Sequence, residues 1–64
     1  MYRIEVFEYG MAEFGPINIV CKTESLETAK QILLLELISF GKGYYGYILN
    51  DRNEGILMVD FPNE

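Results

Sequence analysis

The segment from Leu26 to Phe40, LETAKQILLLELISF, constrains the fold most, because no other stretch is long and periodic enough for a helix. Its apolar residues follow the i, i+3, i+4, i+7 spacing that lays one side of a helix on a core. We expect that side to consist of Leu26, Ala29, Leu33, Leu37 and Phe40. Ser25 is suited to cap the first turn and Gly41 to end the last one. The sequence therefore predicts a helix over Leu26–Phe40.

The opposite side of the predicted helix is also apolar, which a solvated helix does not require. It carries Leu34, Leu35 and Ile38 beside Glu27 and Gln31. If these three apolar side chains stay in water, each loses the stabilisation of about 1.5–3 kcal/mol that burial would provide. Two explanations are open at this point. Either the loop that contains Met11 and Phe14 folds over these side chains, or they bind a second copy or a partner protein.

Four short segments rich in β-branched and aromatic residues predict strands. They are Tyr2–Tyr9, Ile17–Thr23, Tyr44–Asn50 and Ile56–Phe61. The loop GMAEFGP and the turn NDRNEG separate each pair closely enough for two hairpins. We predict one α+β domain over residues 1–64 with the order ββαββ, in which the helix packs on one face of a four-stranded, mainly antiparallel sheet.

A single helix covers only one face of such a sheet, and alternation along the strands assigns the apolar residues to the two faces. We expect the helix to cover Ile4, Val6, Ile17, Ile19, Cys21, Leu57, Val59 and Phe61. The uncovered face then carries Phe7, Tyr9, Val20, Ile56 and Met58. This second face is too apolar to be simply solvated, and is therefore a second candidate for a contact surface.

Charge and cysteine content exclude several classes of function. The net charge of −5 repels phosphate, so we expect neither direct nucleic-acid binding nor binding to an anionic membrane. The lone Cys21 cannot form an internal disulfide, and the sequence shows no N-terminal signal pattern and no span of about 20 apolar residues, so we expect a cytoplasmic protein.

Catalytic and metal-binding patterns are absent from the sequence. There is no His, which removes the usual triads and dyads and the commonest metal ligand. Cys21 is in register with Ile17 and Ile19, so we interpret it as a buried, inert thiol. In the turn after Asn50, counted from Asp51, the Gly is at position 5 rather than 6 of a calcium loop. We predict no enzyme activity, no cofactor and no metal.

The segment from Lys42 to Leu49, KGYYGYIL, resembles the RNP1 motif of the RNA-recognition motif family, whose strand aromatics stack on bases. The match requires an extra residue, because Tyr45 is where a small residue belongs, and the insertion switches which side chains face the RNA. That family also has two helices and a basic surface. We therefore interpret these tyrosines as strand formers and protein-contact residues.

The sequence-based hypothesis is a small, acidic, non-enzymatic protein-binding module, a regulator or inhibitor that docks apolar helix and sheet surface on a partner and self-associates as a homodimer. The predicted partner-binding residues are Leu34, Leu35, Ile38, Phe7, Tyr9, Tyr45, Tyr47 and Met58. The alternative is a phage-encoded inhibitor of host defence that blocks or mimics nucleic acid. Its size and acidity fit that class, which includes anti-CRISPR proteins, by analogy alone.

Overall fold

The computed structural model describes residues 1–61, apart from the side chains of Cys21, Lys22 and Phe61. Within that range the elements are strand β1 (Tyr2–Glu8), a short 3-10 helix (Ala12–Phe14), strand β2 (Asn18–Thr23), helix α1 (Leu26–Phe40), strand β3 (Tyr44–Leu49) and strand β4 (Gly55–Phe61). The predicted ββαββ order is confirmed, with each strand boundary within one residue of its prediction.

The four strands form one open antiparallel sheet in the order β2-β1-β3-β4. β1 and β3 are therefore the central strands, and each belongs to one of the two hairpins. Their register places Glu5 opposite Tyr47 and Phe7 opposite Tyr45. The helix connects the edge strand β2 to the central strand β3 and packs on one face of the sheet.

Helix α1 begins and ends where its sequence predicts. The Ser25 Oγ accepts a hydrogen bond from the Thr28 amide at 3.3 Å, which satisfies one of the donors that have no partner within the first turn. At the other end, the Gly41 amide donates to the Leu37 carbonyl at 2.8 Å. Gly41 has a φ of +95°, a conformation that favours a residue without a side chain.

The core lies between α1 and the two central strands. It consists of Ile4, Val6, Ala29, Leu33, Leu37 and Ile48, each at most 2 % exposed. Tyr2, Val20, Leu26, Ile32, Tyr44, Leu57 and Val59 pack around it and are partly buried. The helix face was thus predicted correctly except at Phe40, which is 38 % exposed and stacks on Tyr44 at the edge of the core.

The two faces of β2 are the reverse of the prediction. Val20, expected on the uncovered face, packs against the core, whereas Ile17 and Ile19 are 44 % and 49 % exposed. The register explains the reversal, because Val20 pairs with the buried Ile4 and side chains directly opposite each other share a face. The predictions for the side chains of Cys21 and Phe61 lie outside the described residues.

The turn between β3 and β4 has its own internal hydrogen bonds. The Asn50 side-chain oxygen accepts from the amides of Arg52 at 2.9 Å and Glu54 at 3.0 Å. This is how an Asx turn closes a hairpin, so the predicted turn is confirmed. In the described part of the chain, no three His, Cys, Asp or Glu side chains are grouped as metal ligands would be.

Candidate functional site

The face of the sheet that α1 leaves uncovered carries a cluster of aromatic rings on the two central strands. Phe7 on β1 stacks on Tyr45 of β3, with ring centroids 5.5 Å apart and planes 14° apart. Tyr47 meets both of these rings edge-on, at 5.8 Å from each. Offset-stacked and edge-to-face geometries are the favourable ones for aromatic pairs. The rings are therefore held by one another as well as by the strands.

Tyr9 extends this cluster past the end of β1. Its backbone amide donates to the Gly43 carbonyl at 3.0 Å, and its ring lies 4.7 Å from the Tyr45 ring. Its hydroxyl donates to the Asp60 carboxylate on β4. That hydrogen bond, helped by desolvation and by the negative charge of Asp60, raises the pKa of Tyr9 to about 12. The phenol is therefore kept neutral and in place.

Together Phe7, Tyr9, Tyr45 and Tyr47 form what we call the aromatic cluster. Sequence analysis predicted these four as contact residues, and the fold brings them together on one face. The fifth sheet residue predicted there, Met58, lies opposite Tyr47 on β4 and is 46 % exposed. Ile19 and Ile56, 49 % and 42 % exposed, extend the apolar surface toward the sheet edges.

The charged groups on this face include an ion pair, since the Arg3 Nε donates to Glu5 at 3.1 Å. Asp60 lies at the other end of the aromatic cluster from this ion pair, opposite Tyr45. The aromatic cluster is thus flanked by carboxylates, while Arg3 is already engaged. Sequence analysis missed Asp60, although its alternation with Met58 along β4 was a signal that placed it on this face.

The resemblance of Lys42–Leu49 to RNP1 is resolved by the positions of the tyrosines. Tyr44 turns toward the helix, where it stacks on Phe40 with centroids 5.2 Å apart. Tyr45 and Tyr47 occupy the open face instead. The extra residue therefore shifts the alternation as the sequence predicts. The aromatic cluster consequently uses different strand positions from those of an RNP1 platform.

The remaining predicted contact residues lie on the outer side of α1, away from the sheet. Leu34, Leu35 and Ile38, which we call the helix stripe, are 49 %, 67 % and 67 % exposed. The loop does not cover them: Met11 and Phe14 are themselves 44 % and 73 % exposed. The helix stripe and the aromatic cluster thus lie on opposite sides of the molecule, and the fold does not join them into one site.

The acidic side chains are spread over the surface and pair locally. Asp51 accepts from the N-terminal ammonium at 2.8 Å, and the Glu54 carboxylate accepts from the Asn50 side-chain Nδ2 at 2.9 Å. Glu27 pairs with Lys30 at 3.4 Å across one helical turn. Asn18 donates to Glu36 between β2 and the helix. These carboxylates are divided between helix α1 and the turn between β3 and β4, and they do not form a row with the regular spacing of nucleic-acid phosphates.

No helix within residues 1–61 has the length and apolar character needed to cross a membrane. The chain matches no model of a known protein family, no curated protein and no solved structure. The candidate surfaces therefore rest on the geometry described above.

Proposed function

We propose that this chain is a small, non-enzymatic protein-binding module that regulates or inhibits a partner protein by docking its open sheet face on it. The observation that carries the proposal is the aromatic cluster, which has three rings on the two central strands and the ring of Tyr9 just past the end of β1. No covering layer lies over it among the described residues. Tyr is among the residues that most often dominate binding energy at protein interfaces.

The size of the two candidate surfaces supports the open sheet face as the primary docking surface. The molecule measures 31 × 22 × 15 Å, and its open sheet face extends along the larger dimensions. Such a face is of the order of the ~800 Å² that each partner contributes to a standard protein interface. The helix stripe is part of α1, whose 15 residues form a cylinder about 22 Å long and about 10 Å wide.

The whole outer side of this helix presents roughly 200 Å², which is below the area of a specific interface and within the range of weak contacts. We therefore assign partner docking to the open sheet face and propose that the helix stripe supports weak self-association. The alternative, mimicry of nucleic acid, draws its support from the net charge of −5. The scattered and locally paired carboxylates favour the docking surface over this alternative.

The proposal also includes a cytoplasmic location, which is supported by the lone cysteine of the sequence. In that compartment a small acidic protein meets partners mainly by diffusion, and its charge steers it toward basic surfaces. The partner is therefore expected to present an apolar patch with a positively charged rim.

The decisive experiment captures binding proteins from a lysate of the cells in which this protein occurs, and compares matched variants as bait. Tyr47→Ser removes a ring from the centre of the open face, and Thr28→Ser changes an exposed position on the helix. We expect one protein to be retained by the wild-type chain and by Thr28→Ser, and to be lost with Tyr47→Ser. Loss with both variants, or retention with both, would contradict docking on the open sheet face. Circular dichroism of each variant verifies that it remains folded.

A further inference from the structure

The corner of the open sheet face formed by Tyr9 and Asp60 combines an accessible ring with a carboxylate. Tyr9 is 43 % exposed, and among the described residues its ring contacts one other ring, that of Tyr45. Tyr45, by contrast, contacts three rings and is partly buried. Tyr9 therefore offers the most accessible ring surface of the aromatic cluster, directly beside the Asp60 carboxylate to which its hydroxyl donates.

This pairing of groups is chemically specific. A cation is attracted to the face of an aromatic ring by the ring quadrupole. Donation of the Tyr9 hydroxyl to a carboxylate increases the electron density of the ring, which strengthens that attraction. Asp60 keeps a second oxygen that accepts further hydrogen bonds, because the bond from Tyr9 uses Oδ1. A planar guanidinium stacks on a ring and donates to a carboxylate at the same time, whereas an ammonium does not stack.

We propose that the corner formed by Tyr9 and Asp60 binds an arginine side chain from a basic segment of the partner protein. The inference rests on the proposed function and adds the chemistry of the partner to it. Charge complementarity carries it: the chain has a net charge of −5, the aromatic cluster is flanked by Asp60 and Glu5, and Arg3 is paired with Glu5.

A second copy of this chain is a poorer occupant of the same corner. Apposing two open sheet faces would bring together two chains that each have a net charge of −5, which costs free energy through like-charge repulsion. A nucleic acid meets the same repulsion from its phosphates. A basic protein segment relieves the charge and fits the stacked rings, so it is the occupant that the electrostatics of the face selects.

The test uses the full-length chain, labelled with 15N, and a short capped peptide of Arg-Gly repeats as the probe. Matched peptides carry Lys or the uncharged analogue citrulline in place of Arg. We expect the Arg peptide to shift the amide signals of Tyr9, Tyr45 and Asp60, with an affinity at least severalfold above that of the Lys peptide, and the citrulline peptide to have no effect. Equal binding of the Arg and Lys peptides, or no binding of either, would overturn the proposal.

Two variants of equal charge separate a specific site from general attraction. Asp60→Asn is expected to weaken binding of the Arg peptide about tenfold. Asp51→Asn removes the same charge from the distant hairpin turn and is expected to change the affinity less than twofold. Equal losses in the two variants would overturn the arginine site. Docking on the open sheet face would still stand in that case, because it is tested separately by the comparison of Tyr47→Ser with Thr28→Ser.

Discussion

Leu33 of the helix lies directly over Gly46 of the central strand β3, in the space that a side chain at Gly46 would occupy. A Cβ built on Gly46 would clash with Leu33 Cδ1 and stand 3.0 Å from the Glu5 carbonyl oxygen on β1. Leu33 is fully buried and has no room to move aside. The close approach of α1 to the sheet, and with it the position of the strand that carries Tyr45 and Tyr47, depends on this glycine.

Gly46→Ala is therefore expected to lower the free energy of unfolding by about 1–3 kcal/mol through overpacking. Urea denaturation followed by circular dichroism measures the loss. Gly55→Ala is the matched control, because the nearest atom to its added Cβ, Tyr47 Cδ1, lies at an ordinary contact distance of 3.7 Å. If both variants were equally stable, the tight contact with Leu33 would not be what requires a glycine at position 46.

The ionisation of Tyr9 is expected to be displaced to high pH. Its pKa in the folded chain is about 12, against 10.0 for an isolated tyrosine, chiefly because its hydroxyl donates to Asp60. Between these two values the unfolded chain loses the proton that the folded chain keeps. The stabilising contribution of this hydrogen bond is thus complete below about pH 10 and declines as the pH rises toward about 12.

Absorbance of tyrosinate measured against pH checks this expectation. The wild-type curve should contain a late transition from Tyr9, which disappears in Tyr9→Phe and returns toward the ordinary range in Asp60→Asn. Asp51→Asn should leave the curve unchanged, since its carboxylate pairs with the N-terminal ammonium instead. Identical curves for the wild type and Asp60→Asn would contradict the assigned hydrogen bond.

Leu35→Asp is expected to leave the fold intact and to abolish self-association. Leu35 is 67 % exposed, so a carboxylate there stays hydrated in the monomer but would be desolvated in an apolar contact between helices. Sedimentation or light scattering over a range of concentrations measures the change. Asn53→Asp, exposed in the turn between β3 and β4, is the control for added charge. A wild-type chain that stays monomeric at every concentration would argue against this role of the helix stripe.

Ser25→Ala is expected to destabilise the chain by about 1 kcal/mol, because the Thr28 amide loses its acceptor at the helix N-terminus. Thermal or urea unfolding provides the measurement. Ser39→Ala removes an exposed hydroxyl from the last turn of the same helix, where alanine is the better helix former, and should not reduce stability. Equal effects at the two serines would show that the cap contributes nothing.

Local signals in the sequence were sufficient for the elements. Ser25 and Gly41 mark the ends of α1, and the Asn50 turn closes the second hairpin, because capping and turn chemistry act between residues a few positions apart. Spacing also placed the helix stripe on the outer side of α1, whereas only the tertiary structure decided that the loop with Met11 and Phe14 leaves it exposed.

The sheet faces were clearest from the sequence where polar and apolar residues alternate. β1 alternates Ile4 and Val6 with Arg3 and Glu5, so its inward side was evident. β2 is apolar on both sides, with Ile19 and Val20 adjacent, and periodicity cannot choose between them. The choice was made by pairing with β1, where Val20 meets Ile4 and Ile19 meets Glu5.

The sequence by itself thus determined the order and limits of the helix and strands, and the apolar excess on two surfaces, since these depend on local conformation and periodicity. Tertiary structure alone decided that β1 and β3 are the central strands, that Phe7 stacks on Tyr45, and that Asp60 accepts from the hydroxyl of Tyr9, 51 residues away. The physical reason is that strand pairing is non-local: a register between distant segments is selected by the burial that it permits.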